Sequence, residues 1–262
     1  MPKAKNYPGT LVYNDNMGGR KMHKIASYYR YGKKCGIYSD AFDIFVSELA
    51  KRIKLNQQNV IAVEGPTGSG KSTYAILLAF ALAKKLKVPF SLEKDFVYAA
   101  EDMWKKVLNK DASPINLIDE AVLVVNAKRS QTKESVDIVN LFNTMRSLGW
   151  TTIMCSPSIY QIDKTVRVVH VDYLVRCTAE GASIKKGYGR GFFEVYKAKH
   201  AGFAKSAEPY WELKCTGVYG ALPPKIDLEY QPLKLQAQRK LIERMAERYG
   251  VDDGDDKGGA SA

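Results

Sequence analysis

The sequence lacks an apolar run of the length that a membrane-spanning helix needs. Its longest uniformly apolar run, residues 75–83, has about half of the roughly 20 residues that a span requires. No apolar leader follows Met1, where polar and glycine-containing sequence begins instead. We therefore expect a soluble, cytoplasmic protein that does not insert into a membrane.

Cysteine is also scarce, and its spacing argues against a metal site or a disulfide framework. The four cysteines lie far apart along the chain, at Cys35, Cys155, Cys177 and Cys215. Cys155 and Cys177 fall in apolar runs, where a cysteine usually packs as a small hydrophobic side chain. This pattern fits a reducing compartment.

Acidic residues are in deficit, because 28 Asp and Glu stand against 40 Lys and Arg, a net charge of +12. The end of the chain is the exception: residues 251–262 are acidic, and we expect them to be disordered. The basic excess favours a polyanionic partner, with nucleic acid as the first candidate. A solvated basic surface without such a partner is the alternative.

Strand-like and helix-like segments alternate through the middle of the chain, which predicts an α/β fold. Buried strands are indicated by short apolar runs without alternation, at 60–63, 115–118, 151–155 and 171–177. Helices are indicated between them, at 71–85, 95–108, 136–148 and 159–166. This order predicts a mostly parallel sheet with helices on both faces and right-handed crossovers.

The length of 262 residues suits one sizeable domain with small appendages. The predicted regions are a basic N-terminal arm at 1–38, a core at 39–205, a linker and helix at 206–250, and an acidic tail at 251–262. Within the core, 173–199 is expected to extend the sheet as an antiparallel hairpin. Prolines at 223, 224 and 232 punctuate the predicted linker, and an amphipathic helix follows at 233–249.

The segment GPTGSGKS at 65–72 matches the whole P-loop pattern. Its glycines allow positive φ angles and let backbone N–H groups approach a β-phosphate without a Cβ in the way. Lys71 would reach the β- and γ-phosphate oxygens and Ser72 would hold Mg²⁺. A glycine-rich turn without a ligand would leave Lys71 and Ser72 unexplained. The predicted ATP-binding residues are Gly65, Pro66, Thr67, Gly68, Ser69, Gly70, Lys71, Ser72 and Thr73.

An acidic pair follows the strand at 115–118 and resembles a Walker B motif. Asp119 would bind Mg²⁺ and Glu120 would polarise the attacking water. Acid pairs are common on protein surfaces, and this one is singled out by the apolar strand before it and the P-loop upstream. The pair also argues against small-molecule kinases, which need no water-activating Glu at this position.

With these motifs the sequence resembles the additional-strand, catalytic-Glu class of P-loop ATPases, which have a RecA-like core. Residues 141–176 further resemble the FtsK–HerA branch, including viral genome-packaging ATPases and the ATPase domains of zonula-occludens-toxin-like phage proteins. The resemblance implies that the strand after Walker B inserts between the Walker A and Walker B strands. It also implies that Ser156 senses the γ-phosphate, where the alternative is a serine that caps the next helix.

The same resemblance implies a homo-oligomeric ring in which an arginine of one subunit completes the site of its neighbour. The candidate fingers are Arg167, ranked first, Arg146 and Arg129. A surface salt bridge is the alternative for each of them. If the source is viral, the compartment would be the host cytoplasm.

Two basic regions with aromatic residues are candidate nucleic-acid contacts, the N-terminal arm and the loop at 185–190. In that loop Lys185, Lys186 and Arg190 would follow the phosphates, and Tyr188 would stack on a base. The leading hypothesis is an oligomeric, ATP-driven DNA motor that acts on double-stranded DNA. The alternatives are an AAA+-like replication initiator or helicase loader, a phage assembly ATPase acting on protein, and a non-enzymatic ATP switch.

Overall fold

A computed structural model describes residues 37–39, 41–98, 100–109, 112–125, 133–179, 191–200 and 208–249. The N-terminal arm, the basic loop at 185–190 and the acidic tail were predicted from sequence, and all lie outside these described residues. The chain divides into two units, Met1–Pro223 and Pro224–Ala262.

The described part of the first unit is built on an eight-stranded sheet in the order β1-β8-β7-β6-β2-β5-β4-β3. The strands are β1 Ile37–Tyr38, β2 Asn59–Glu64, β3 Phe96–Val97, β4 Ile115–Ile118, β5 Thr151–Ser156, β6 Tyr173–Thr178, β7 Gly191–Lys199 and β8 Tyr210–Tyr219. The pairs from β3 through β4, β5 and β2 to β6 are parallel. The pairs from β6 through β7 and β8 to β1 are antiparallel. The predicted parallel α/β core with an antiparallel β extension is confirmed.

The helices of this unit connect the parallel strands and cover the sheet. They are α1 Phe42–Lys54, α2 Lys71–Leu86, α3 Leu92–Asp95, α4 Ala100–Leu108, α5 Ala121–Val124 and α6 Lys133–Ser147. Helix α2 is apolar on every side and is buried almost continuously from Thr73 to Ala83, as expected of a helix inside a core. Its first two residues, Lys71 and Ser72, are the last two of the P-loop pattern, so burial of this helix anchors the loop.

Strand β5 lies between β2 and β4 and is parallel to both. Its last residue, Ser156, is the register partner of Glu64, the last residue of β2. Because the carboxyl ends of parallel strands meet at one edge of a sheet, the residues that follow β2, β4 and β5 gather there. This is the strand insertion that the additional-strand resemblance implies.

Two of the predicted helices differ from those observed. The predicted helix at 95–108 is interrupted by β3, an edge strand of two residues that local periodicity does not reveal. The predicted helix at 159–166 is a 3-10 turn at Ile159–Gln161 followed by a π-helical segment at Val166–His170. The 3-10 turn and the π-helical segment are each too short, and wound too differently from an α-helix, to show an α-helical repeat in sequence.

The linker predicted from residue 206 is wrong over most of its length. Tyr210–Tyr219 forms β8, which pairs with β7 on one side and with β1 on the other. The strand alternates only partly between buried and exposed positions, so its sequence resembles a loop. Its partner β1 lies far away in the sequence, and pairing of this kind leaves no local signal.

The second unit consists of helix α7, Pro224–Tyr249, in its described part. The helix begins at Pro224 and contains Pro232, whereas the sequence predicted a start near residue 233. Proline is well tolerated in the first turn of a helix, where its missing N–H would have no partner, so Pro224 marks a start rather than a linker. None of the helices in the described ranges has both the length and the apolarity to cross a membrane.

A buried ion pair ties the elements before β4 together. Lys106 Nζ of α4 lies 2.7 Å from Asp95 Oδ1 of α3, and both side chains are nearly inaccessible to solvent. The same ammonium group donates to the carbonyl oxygen of Ile115, the first residue of β4, at 2.5 Å. Burial lowers the pKa of Lys106, and the Asp95 carboxylate opposes this effect. The start of the Walker B strand is thereby held by a desolvated cation.

Replacing Lys106 with Ala is expected to lower the free energy of unfolding by about 3–5 kcal/mol, since it leaves the Asp95 carboxylate buried without its cation. Equilibrium denaturation measures the loss. The matched control is Lys105→Ala, which removes the exposed neighbouring lysine and is expected to stay within about 0.5 kcal/mol of wild type. Equal losses in the two variants would contradict a structural role for the pair.

Candidate nucleotide site

The P-loop connects β2 to α2 at the carboxyl edge of the sheet. Gly65, Gly68 and Gly70 have φ angles of +153°, +81° and +85°, in the region that glycine adopts without strain. Gly70 is also the residue that precedes the first turn of α2. The crest of the loop, residues 66–68, is exposed. The glycine-rich turn therefore has the positive φ angles predicted for it, with a helix N-terminus behind it, and its role in phosphate binding stays a prediction.

The side chain of Lys71 lies across the loop. Its Nζ donates to the carbonyl oxygens of Gly65 at 2.8 Å and Pro66 at 3.0 Å. Ser72 and Thr73 follow in the first turn of α2, and Thr73 is buried. The ammonium group is thus held over the turn in which the P-loop pattern places phosphate.

The acidic pair follows β4 at the same edge. Asp119 comes directly after the strand, and Glu120 precedes the first turn of α5. The pKa of Glu120 is raised, first by loss of hydration and then by the Asp119 carboxylate, while Lys71 opposes the rise. Glu120 thus interacts electrostatically with both Asp119 and Lys71, so the three side chains belong to one site. A raised pKa is common in carboxylates that act as general bases.

Oxygen atoms of the kind that Mg²⁺ prefers flank this site. The Ser72 hydroxyl comes from α2 and the Asp119 carboxylate from the residue that follows β4. Mg²⁺ is commonly held by one or two protein oxygens together with substrate phosphates. Among the described residues no group of three or more His, Cys, Asp or Glu side chains forms a metal cage. The residues present fit a Mg²⁺ ion that arrives with its nucleotide.

Ser156 ends β5 between the P-loop and the acidic pair. It is buried, and its hydroxyl donates to the carbonyl oxygen of Ser158 at 2.8 Å. The capping alternative for Ser156 is wrong, because Ser158 is the residue whose hydroxyl accepts from Tyr160 N–H at the start of the 3-10 turn. The sensor role of Ser156 stays a prediction.

The two described finger candidates have different surroundings. Arg146 is exposed in the last turn of α6 and lines a cavity of about 370 Å³ with Arg52 and Asp172. This cavity lies at the amino edge of the sheet, away from the P-loop of the same chain. Arg167 is buried, forms a bidentate ion pair with Glu208 and stacks on Tyr160.

The role of either arginine as a finger stays a prediction. In the observed conformation, Arg167 would have to leave Glu208 to reach another subunit. Arg129 lies outside the described residues.

The predicted nucleic-acid contacts Lys185, Lys186, Tyr188 and Arg190 also lie outside the described residues. The strands before and after them are described. β6 ends at Thr178 and β7 begins at Gly191, and the register pairs Thr178 with Phe192 and Gly191 with Tyr219. Both ends therefore lie at the carboxyl edge of the sheet, where the P-loop is found.

The sequence did not predict two residues at the P-loop: Glu64, which immediately precedes the loop, and Tyr219, which contacts it. Glu64, the last residue of β2, accepts from Arg176 Nε and from Ile159 N–H, both at 2.9 Å. Tyr219, the last residue of β8, donates its hydroxyl to the carbonyl oxygen of Ser69. The position of Glu64 immediately before the P-loop was a usable signal. Tyr219 gave none, because its partner lies 150 residues away.

Buried thiols lie under the site. Cys155, Cys177 and Cys215 are free and buried, as predicted for the first two from their apolar runs. Burial raises the pKa of Cys177 to about 12. Burial also raises the pKa of Cys155, with Asp119 adding to the rise. Cys155 and Cys177 therefore stay protonated near neutral pH and act as packing side chains rather than as nucleophiles.

Comparison with protein families places the chain. The model of the zonular occludens toxin (Zot) family matches residues 83–216, just over half of the sequence. The chain belongs to the Zot family. The matched segment includes Asp119, Glu120 and Ser156 and begins after the P-loop, so the P-loop and the family match are independent support for the ATPase assignment. Fold, phosphate loop and family together make this Zot-family chain a P-loop ATPase.

Solved structures give weaker matches, and a comparison with curated proteins finds none. The N-terminal domain of zonular occludens toxin from Neisseria meningitidis is 19% identical, with 60% of this chain and 93% of that chain covered and a TM-score of 0.36. The genome-packaging NTPase B204 of Sulfolobus turreted icosahedral virus 2, in complex with AMPPCP, is 15% identical, with 54% and 93% covered and a TM-score of 0.38.

A chain of the E. coli MS115-1 HORMA:CdnC:Trip13 complex is 13% identical, with a TM-score of 0.40. The match covers 54% of this Zot-family chain and 63% of that chain, which is less than two thirds of its length. At such scores the fold assignment rests on the strand order and the family assignment on the sequence match.

Replacing Gly65 with Ala is expected to reduce both stability and nucleotide affinity far more than Gly68→Ala. A Cβ at Gly65 would lie 2.2 Å from the backbone oxygen of Cys177, whereas one at Gly68 meets nothing within 4 Å. Gly68→Ala therefore adds only the strain of a positive φ, about 1–2 kcal/mol. Denaturation without nucleotide compares the two variants, and equal costs would contradict the close approach of the P-loop to β6.

Proposed function

We propose that this ATPase is a Mg²⁺-dependent motor that works as a homo-oligomer and moves double-stranded DNA. The observation that carries the proposal is the sheet order β2-β5-β4, which brings the P-loop, the acidic pair and Ser156 to one edge. A water-activating Glu beside a P-loop suits hydrolysis rather than transfer to a bound acceptor. Energy from hydrolysis is what a motor uses.

Each residue of the site has a role in this proposal. Backbone N–H groups of the P-loop would bind the β-phosphate, and Lys71 would exchange its loop carbonyls for phosphate oxygens. Ser72 and Asp119 would hold Mg²⁺, which when bound neutralises charge on the phosphate oxygens. Glu120 would accept a proton from the attacking water, and its raised pKa favours that acceptance. Ser156 would contact the γ-phosphate.

The case for DNA rests on charge and on the two strand ends that bound the basic segment. The sequence carries a net charge of +12, although its last segment is acidic. Thr178 and Gly191, which bound the segment containing Lys185 and Arg190, lie at the nucleotide edge of the sheet. A motor that follows the phosphate backbone needs basic residues on the surface that contacts DNA and no base-reading residues.

Replacing Glu120 with Gln is expected to reduce ATP turnover at least about 100-fold, because the proton acceptor is lost while the shape is kept. The Kd for MgATP should stay within about twofold of wild type. Glu93→Gln, at an exposed position in α3, is the control and should leave turnover unchanged. Unaltered hydrolysis in Glu120→Gln would remove Glu120 from the mechanism and favour a non-enzymatic ATP switch.

DNA dependence is tested by the ATPase rate with duplex, with single-stranded DNA and without nucleic acid, alongside mass in solution. Stimulation by duplex that weakens steeply with salt is expected, since phosphate contacts release counterions. A rate indifferent to DNA at low salt would contradict the motor.

A finger supplied by a neighbouring subunit is tested by mixing two inactive variants. Arg146→Ala and Arg167→Ala should each be mixed with Glu120→Gln and assayed for turnover. A true finger variant is expected to lose about 10³-fold in rate alone and to regain activity in the mixture. Regain is expected because some interfaces then combine a wild-type arginine with a wild-type Glu120. Arg167→Ala needs a stability measurement as well, because its ion pair with Glu208 is lost. No regain with either variant would contradict both candidates.

A phage assembly ATPase that acts on protein is the second candidate, and the family match favours it. Recovery of protein partners rather than DNA, with no stimulation by duplex, would support this candidate. An AAA+-like initiator is less favoured, because the described residues after Thr178 form two strands and one helix instead of a helical lid.

A further inference from the structure

Tyr219 contacts the P-loop from a strand that no nucleotide motif includes. The side chain is fully buried at the end of β8, and its hydroxyl donates to the backbone carbonyl of Ser69. Ser69 lies inside the P-loop, and its own backbone N–H donates to the carbonyl of Pro66 at 3.1 Å. The antiparallel extension of the sheet therefore reaches the centre of the phosphate loop through one hydrogen bond.

The ring of Tyr219 is fixed by aromatic neighbours. It lies 5.7 Å from the ring of Tyr74 in α2 and 6.4 Å from the ring of Phe193 in β7, centroid to centroid. Both neighbours are fully buried. Because Tyr74 lies in the first turn of α2, the hydroxyl of Tyr219 is held in a defined position relative to the helix N-terminus.

Space for that hydroxyl exists because residue 191 is glycine. Gly191 is the register partner of Tyr219. A Cβ at Gly191 would lie 2.5 Å from the Tyr219 hydroxyl oxygen and 2.6 Å from the carbonyl oxygen of Thr178. The start of β7 thus lies against the same hydroxyl group that contacts the P-loop.

We propose that Tyr219 is a positioning residue that holds the P-loop in its phosphate-binding conformation. The carbonyl of Ser69 and the N–H of Gly70 belong to one planar trans peptide unit, so they point in opposite directions. Fixing the carbonyl towards Tyr219 therefore turns the Gly70 N–H away from Tyr219, into the loop that would receive phosphate. The proposal rests on nucleotide binding at residues 65–72.

The direct test is Tyr219→Phe, which removes the hydroxyl and keeps the ring. The KM for MgATP is expected to rise about three- to tenfold, the effect of losing one hydrogen bond that preorganises the loop. The kcat should stay within about twofold, because ground state and transition state lose the same binding. A purely structural role would lower thermal stability without this separation of KM from kcat.

Tyr74→Phe is the matched control. Its hydroxyl is buried in the same aromatic cluster and has no hydrogen-bond partner within the described residues. The KM should therefore stay at the wild-type value. A Tyr219→Phe variant with wild-type KM, or a Tyr74→Phe variant with the same rise, would overturn the proposal.

Gly191→Ala provides a second route, since the added Cβ would push the hydroxyl from Ser69. Direct titration with MgATP, at a temperature well below the Tm of the variant, should show a Kd raised about as much as in Tyr219→Phe. A wild-type Kd would contradict the proposal. If the wild-type chain bound MgATP without hydrolysing it, the motor function would fail. The comparison of Kd values would still decide the role of Tyr219.

Discussion

Parallel pairing of β5 with both β2 and β4 is the constraint on which the nucleotide site depends. All three strands are buried, so their backbone groups must pair within the sheet. A slip of one residue would turn each side chain of β5 to the opposite face. The register therefore fixes Ser156 beside Glu64, and the carboxyl ends of the strands place a serine, an acidic pair and a glycine-rich loop at one edge. The side chains at this edge are therefore positioned by backbone pairing in the buried part of the sheet.

The antiparallel part of the sheet belongs to the site as much as the parallel core does. Strand β6 contacts the beginning of the P-loop in two ways. Arg176 donates to Glu64, the residue before the loop. The backbone of Cys177 lies so close to Gly65 that residue 65 has no room for a side chain. Strand β8 touches its middle through Tyr219. The phosphate loop is therefore shaped from two directions, by the helix behind it and by strands that come much later in the sequence.

Local chemistry made the P-loop, the acidic pair and the alternating core predictable from the sequence. The insertion of β5 was implied by family resemblance and not by residue pattern. Strand β8 and the Asp95–Lys106 pair could not be predicted, since their partners are distant in sequence or hidden in short elements. Pro224 was assigned to a linker because a proline can either end a linker or begin a helix. The contacts missed were those that depend on tertiary structure.

The buried thiols allow local opening of the sheet beneath the site to be measured. Cys155 in β5 and Cys177 in β6 lie in the two strands that flank β2. Because a protonated, inaccessible thiol reacts only after exposure, a labelling reagent would modify these residues at the rate at which their strands separate. In a Cys35→Ser background, the time course of labelling would record local opening of the sheet that carries the nucleotide site. A bound nucleotide that stabilises this sheet would lower the rate of thiol labelling.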